Sequence, residues 1–417
     1  METQTRYVNL SSGEILSFSV ATGDSYLAST RDAATISEAI QHGTVACAYR
    51  IYLLFADETV DREIPREDIK LGASYSENYQ NGQRRTLSFS LYNDDGKYTP
   101  NANVLRAGTR IRLDLGVTMV DNSTIWFTKG VYVVESVTVS HTPTGSSVDV
   151  SCGDKFALLE SSVGRLTMSY EIPSGTPIVD AIKTILLSDT GNGTPFDPKK
   201  PIVHSSLANK TTQAKIQKAA GDTFGSILMD LCTQANAEMF YNASGSLTLI
   251  PTSDVTEDDF KPLLCSFSAE NGDIGSISFG VGYSDIVNQV IVIGQNPSGG
   301  DCQAVAVNAD PRSPFCYQRV GYRTAQMIQD SNISSYILAR DRANYELRQM
   351  TILRSTASAT VPFNPLLEVN NVVIVNDPFL DMANERFLLQ SVSCSLDYGN
   401  QMNISFTNLK NLPFLGR

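Results

Sequence analysis

The stretch Arg84–Asn101, RRTLSFSLYNDDGKYTPN, decides how this chain is read. Thr86 to Tyr92 alternate with period two, the pattern of a half-buried strand. NDDG follows at once, and then a tyrosine and a proline. The acidic turn could be a metal loop, a hairpin turn or a family mark. A calcium loop needs alternating Asp or Asn ligands and a Glu at its twelfth position, and NDDGKY has neither. The turn reading has a direct cause. Asp and Asn bond their own backbone and tolerate left-handed conformations, and glycine supplies positive φ.

The strand grammar continues on both sides. VACAYRIYLLFA (45–56) is a long strand candidate. TRIRLDLGV (109–117) puts Ile111, Leu113 and Leu115 on one face and Arg110, Arg112 and Asp114 on the other. WFTKGVYVVESVTVSH predicts two strands around Lys129-Gly130, and SSVDVSCG one more. Short strands punctuated by turn residues predict a barrel or sandwich. Residues 161–255 change period. Ile178, Ala181, Ile182 and Ile185 are spaced for a helix with Pro177 in its first turn, and Phe224, Ile227, Leu228, Leu231 and Ala235 for a second one N-capped by Asp222. EMFYNASGSLTLIP then predicts a hairpin across Asn242–Gly245. From Thr256 the chain returns to strands. One helix interrupts them, about Ser334 to Met350, with Tyr336, Ala339, Ala343 and Leu347 on one face. Residues 1–44 read as an extension or a small β element, with a possible helical turn at Ile36–Ile40. The expected fold is therefore mainly β with a small α+β insert. The expected units are 1–44, 45–160 and 161–255, then 256–417 as a second β domain with one helix.

Composition narrows the function. The chain has 417 residues, 18% of them charged, and a formal net charge of −12. Low charge suits large β-rich interfaces. A negative balance is unsuited to gripping phosphate, which takes clustered Lys and Arg, but suits a passage through which nucleic acid slides. The seven cysteines (47, 152, 232, 265, 302, 316 and 394) form no CxxC pair and read as reduced, mostly buried thiols. No apolar run near 20 residues predicts a membrane span, and no signal peptide is indicated.

Catalytic motifs are missing. His42, His141 and His204 form no HExxH or HxH pair, and there is no GxSxG elbow, P-loop or dinucleotide fingerprint. FGVGYSD (279–285) leads into a strand, where glycine serves a turn or bulge. Paired carboxylates, as glycosidases use, occur at Asp94 with Asp95, at Glu257, Asp258 and Asp259, and at Asp377 with Asp381. Each group reads first as solvated turn carboxylates. No catalytic, cofactor-binding or metal residue is assigned.

The order of these segments resembles a known family. RRTLSFSLYNDDGKYTPN, LRAGTRIRLDLG, WFTKGVYVVESVTVS and VDVSCGDKFALLE follow one another as in the N-terminal half of tailed-phage tail hub, or baseplate hub, proteins. The insert ending in a hairpin, the NQVIVIG strand, the DPRSPFCYQRVGYR loop, a helix and the closing strands extend the resemblance over roughly residues 45–410. It implies two barrel-like domains per chain and a homotrimer whose six barrels form a pseudo-sixfold ring. Such a ring joins a sixfold tail tube to a threefold tip and leaves a channel for DNA. The implied partners are a tail tube or distal tail protein, a tape-measure protein and tail spike, fibre or receptor-binding tip proteins. The implied place is the virion tail tip or baseplate, after assembly in the host cytoplasm. The family pattern has no counterpart for residues 1–44. The chain also ends at Arg417 without the peptidase or muramidase domain that longer tail-tip relatives carry, which lowers the expectation of wall-degrading activity. Two other readings stay open, a β-rich binding or adhesion module and a carboxylate-dependent enzyme cleaving glycans or peptides.

Overall fold

The computed structural model describes residues 3–9, 15–21, 46–99, 104–118, 124–143, 145–191, 193–251, 263–280, 286–295, 300–325, 327–330, 333–354, 357–380, 382–397 and 401–409. The chain is mainly β, and its largest element is a 13-stranded sheet that takes strands from both β regions. Ala46–Leu54 pairs with Arg110–Thr118, that strand with Thr124–Thr142, and that one with Gly145–Asp154. Arg85–Tyr92 comes next, and then Ser74–Asn78. Ser74–Asn78 pairs in turn with Ser391–Ser395, more than 300 residues away in the chain. The path continues through Gln401–Asn408 and Ala357–Pro362 to Ser276–Phe279 at the far edge.

The join depends on one strand changing partner. Along one edge, Met382–Ser395 pairs first with Val372–Asp377 and then with Ser74–Asn78. The change falls at Gln390, where the register to Gln401–Asn408 also shifts by a bulge. The Gln390 carbonyl accepts the Tyr79 N–H at 2.6 Å, so the switch point keeps a backbone bond. A single apolar core fills the inner face. It runs from Ile51, Leu87 and Leu113 to Val392, Ile404 and Phe406. The two β regions are thus edge-to-edge parts of one sheet over one core.

Residues 161–251 hold a core of their own. Ala237–Tyr241 and Leu247–Pro251 form the expected hairpin, and Ile202–Val203 adds a parallel strand. Helices Ile178–Leu186 and Phe224–Ala235 pack their apolar faces beside it. The short helix Phe156–Glu160, next to the sheet in sequence, buries Phe156 and Leu159 in this second core. A third, smaller unit packs the long helix Tyr336–Arg354 on a three-stranded sheet of Asp301–Val307, Gln289–Gln295 and Ile328–Gln329. At the N-terminus, Thr3–Asn9 and Ile15–Ala21 pair as an antiparallel hairpin. Ile36–Ile40 lies outside the described residues.

Three local expectations are corrected. Lys129-Gly130 is no turn, because Thr124–Thr142 is one continuous 19-residue strand. Gly130 is needed there for space, since a Cβ would stand 2.6 Å from the Tyr132 ring. Asp222 does not cap the second helix. Thr223 does, its hydroxyl accepting the Ser226 N–H at 3.2 Å, while Asp222 accepts the Ala219 N–H. Tyr336 is not on the buried face of the long helix. Ala339, Ala343 and Leu347 are buried, but Tyr336 begins the helix and stands exposed.

Candidate functional site

The opening stretch resolves as a turn. The Asn93 side chain accepts the Tyr98 N–H at 2.7 Å, Asp95 accepts the Lys97 N–H at 3.0 Å, and Asp94 reaches across to the Ser146 N–H at 2.6 Å. Gly96 takes φ +74°, the left-handed region that glycine occupies at no steric cost. Each of the two carboxylates holds backbone through one oxygen and is otherwise exposed. Asp377, buried, likewise accepts the Phe379 N–H at 2.9 Å, and Asp381 lies outside the described residues. So do Glu257, Asp258, Asp259 and His42. His141 is exposed on its strand, and His204 caps a 3-10 turn through Ser206. Among the described residues no three His, Cys, Asp or Glu side chains gather to hold a metal ion.

The chemistry concentrates where sheet, insert and second β region meet. Glu238, on the insert hairpin, accepts the Tyr79 hydroxyl at 2.6 Å and the Asn370 amide at 2.9 Å, and pairs with Arg84 at 3.3 Å. Its partners come from both β regions. The long helix joins through Gln349, whose amide donates to the Tyr79 hydroxyl at 3.1 Å. The Arg84 guanidinium also lies 3.9 Å over the Phe240 ring. Next to it, Arg85 pairs with Glu77 at 2.8 Å and Glu368 at 3.5 Å, and donates to the Tyr241 carbonyl. Asp154 receives both arginine N–H groups, at 2.8 and 3.0 Å, and that of Phe156. Burial still pushes its carboxyl up to about 6.

Two buried lysines extend the junction. Lys129 donates to the carbonyls of Pro365 and Leu367, pinning the second β region to the first. Lys155 pairs with Glu58 at 2.5 Å and Asp197 at 2.7 Å, joining the sheet to the insert. Burial lowers both ammonium groups, against the pull of Glu368 on Lys129 and of Asp197 and Glu58 on Lys155. Removing charges from water is expensive, and an arrangement of this kind persists only when each is paired. What it does chemically is lock three parts of the chain in one orientation.

An open groove of about 380 Å³ lies between the sheet and the helix Phe156–Glu160, with Glu135 and Glu160 on its wall. Burial, then the Glu135 charge, raises the Glu160 carboxyl. Its lining has no histidine, cysteine or basic side chain. Neither this pair nor the junction stood out in the sequence. For the junction a signal did exist. Arg85 shares the parity of Leu87, Phe89 and Leu91, so alternation placed that charge inward, whereas Lys129 is the extra residue of a bulge between Thr128 and Gly130, where alternation breaks and gives no such mark.

The sequence matches no protein-family model and no curated protein. Solved structures do resemble it. A tail protein from Neisseria meningitidis MC58 superposes with a TM-score of 0.61 at 12% identity, covering 88% of this chain and 98% of that one. The 43 kDa tail protein of prophage MuSo2 from Shewanella oneidensis gives 0.58 at 15% identity, with 88% and 99% covered. Prophage tail protein gp18 from Listeria monocytogenes EGD-e gives 0.51 at 11% identity, with 87% and 95% covered. The chain has a phage tail hub-like fold.

Proposed function

We propose that the chain is a structural tail protein that assembles as a homotrimeric hub, joining a sixfold tail tube to a threefold tip around a channel for DNA. One observation carries this reading. Two β regions distant in sequence are fused edge to edge through Ser74–Asn78 and Ser391–Ser395. Two β regions per chain, repeated by a threefold axis, present six to a sixfold neighbour. The buried junction fits such a part, because a joint that transmits load must hold its halves at a fixed angle. The units 45–160, 161–255 and 256–417 are the working division, with the insert placed outside the ring or towards the tip.

In this reading the partners are a tail tube or distal tail protein, a tape-measure protein and the spike, fibre or receptor-binding proteins of the tip. The place of action is the virion. Residues 1–44 reach a neighbouring chain or the tube, and a deletion that leaves assembly unchanged would sink that idea. The test of the whole is the native mass of the purified particle. Three times the 45.4 kDa chain supports the hub. A monomer at high concentration, also in the presence of a tube protein, overturns it and favours a binding module.

A further inference from the structure

The joined sheet has an outer face that the junction and the cores leave unused, and its composition is unusual. Ser276 stands opposite Thr360, Thr360 opposite Asn403, and Asn403 opposite Ser393. Ser393 then stands opposite Ser76, and Ser76 opposite Thr86. This one row crosses six strands and both β regions without a charged or apolar side chain. The row on one side holds Ser278, Ser358, Ser405, Ser391 and Asn78, and the row on the other holds Pro362, Gln401, Ser395, Ser74, Ser88 and Ser151, again without Lys, Arg, Asp or Glu. Charges come at the margins, where Asp149 faces Ser90, Lys70 approaches the Tyr92 ring, Asp397 meets the Ser395 hydroxyl at 3.3 Å, and Glu135 stands beside Gly153, opposite Thr86.

The hydroxyls are tied to one another. Ser76 meets Thr86 at 2.8 Å, Ser276 meets Thr360 at 3.1 Å, Ser74 meets Ser88 at 3.0 Å, and Ser391 meets Ser405 at 2.6 Å. Bonds of this kind hold the side chains to the sheet, and between Ser76, Ser88 and Ser393 they line an open polar depression of about 270 Å³. A protein interface is built differently. Its core collects aromatic residues, Met and Arg and is depleted in serine. A surface that grips nucleic acid needs cations, since phosphate neutralisation supplies most of the affinity. This face has neither.

We propose that this hydroxyl face is the wall of the DNA passage. The inference rests on the hub reading and adds to it the surface that the duplex passes. A neutral wall offers the polyanion no cation to stop at and little repulsion to climb. Because the rows cross the join at Ser74–Asn78 and Ser391–Ser395, each chain contributes one uninterrupted panel.

The test has two parts, both on the full-length particle after its mass has been measured. Nitroxide labels are placed one at a time through Ser88→Cys, Ser393→Cys and, as a control on the insert, Met168→Cys, which replaces a side chain 73% exposed. The unsubstituted chain sets the background. Distances between copies are expected to be shorter at 88 and 393 than at 168. Equal or longer distances, or labels frozen against protein on assembly, overturn the wall while leaving the trimer standing. A monomeric particle removes the hub reading itself. The second part is Ser88→Arg with Ser393→Arg, which sets six arginines in a trimer. That variant is expected to retain a linear duplex but not a closed circle of the same sequence, which cannot thread a ring. Retention should weaken about a thousandfold between 50 and 200 mM salt, as six phosphate contacts dictate. A trimer that retains neither form, or both equally, puts the face elsewhere. Ser88→Thr with Ser393→Thr keeps the hydroxyls and should behave as the parent does.

Discussion

The Tyr79 hydroxyl donates to the Glu238 carboxylate at 2.6 Å, and that bond ties the first β region to the insert at the point where Asn370 brings in the second. Both groups are buried, and Arg84 stands beside them at 1% exposure. Glu238→Ala leaves that guanidinium without its carboxylate, and a broken buried pair costs ~3–5 kcal/mol. Glu238→Gln keeps an acceptor and should cost less. Combining Tyr79→Phe with Glu238→Gln in a urea-unfolding cycle should give a coupling of ~1.5–3 kcal/mol, the range for hydrogen bonds to charged groups. A coupling within ~0.5 kcal/mol of zero would make the bond incidental.

Asp154 gives the chain a pH signature. Burial raises its carboxyl to about 6 in the folded chain, above the ordinary 3.8. Between those values the folded state binds the proton and the unfolded state does not. Its contribution is fully present below pH 3.8 and is lost as pH rises through 6. Asp154→Asn cannot titrate. The stability of the parent relative to this variant should therefore fall from pH 4 to pH 6 and level off above, by up to ~3 kcal/mol for two units. A difference that is flat with pH would mean that the three N–H donors offset the burial and leave the carboxyl unshifted.

Gly245 closes the insert hairpin at φ +75°, and a Cβ there would stand 2.7 Å from Val131 of the main sheet. Gly175 has a similar φ of +84° with open space around it. The two separate strain from crowding. Gly175→Ala should cost only the left-handed penalty, ~1–2 kcal/mol. Gly245→Ala should cost a further ~1–3 kcal/mol for overpacking. Equal thermal shifts for the two variants would mean that the hairpin can move off the sheet, against the rigid joint proposed here.

Local pattern carried much of the fold into view. Arg85–Tyr92, Arg110–Thr118, Gln289–Gln295 and Gln401–Asn408 alternate or run apolar in the sequence, and the helices Ile178–Leu186 and Phe224–Ala235 show their spacing plainly. Lys129-Gly130 misled because a lysine and a glycine inside a strand look like a turn, until the lysine's partners some 236 residues on are known. The join at Gln390 was hidden for the same reason. A change of strand partner is decided by contacts far apart in the chain and leaves no local mark. The hydroxyl face was legible only in part. Each strand showed polar alternate positions, but that Ser393, Ser76 and Thr86 fall in one row is a fact of register.

The cysteines make the last prediction, and it checks both the core and the redox reading. No disulfide joins any of the seven, and all but the half-buried Cys47 are buried. Burial pushes the Cys47 thiol up to about 11, and those of Cys232 and Cys394 up to about 12. The thiolate is the reactive form, so at pH 8 roughly one Cys47 in a thousand is poised to react. A native chain should give no fast colour with an aromatic disulfide reagent, and one slow phase that Cys47→Ser removes. In guanidinium all seven should react at once. A fast native phase that Cys47→Ser abolishes would show that the strand Ala46–Leu54 opens at its first turn of pairing, beside Val117. A fast phase that survives the substitution would place the opening in a core that the sheet is expected to seal.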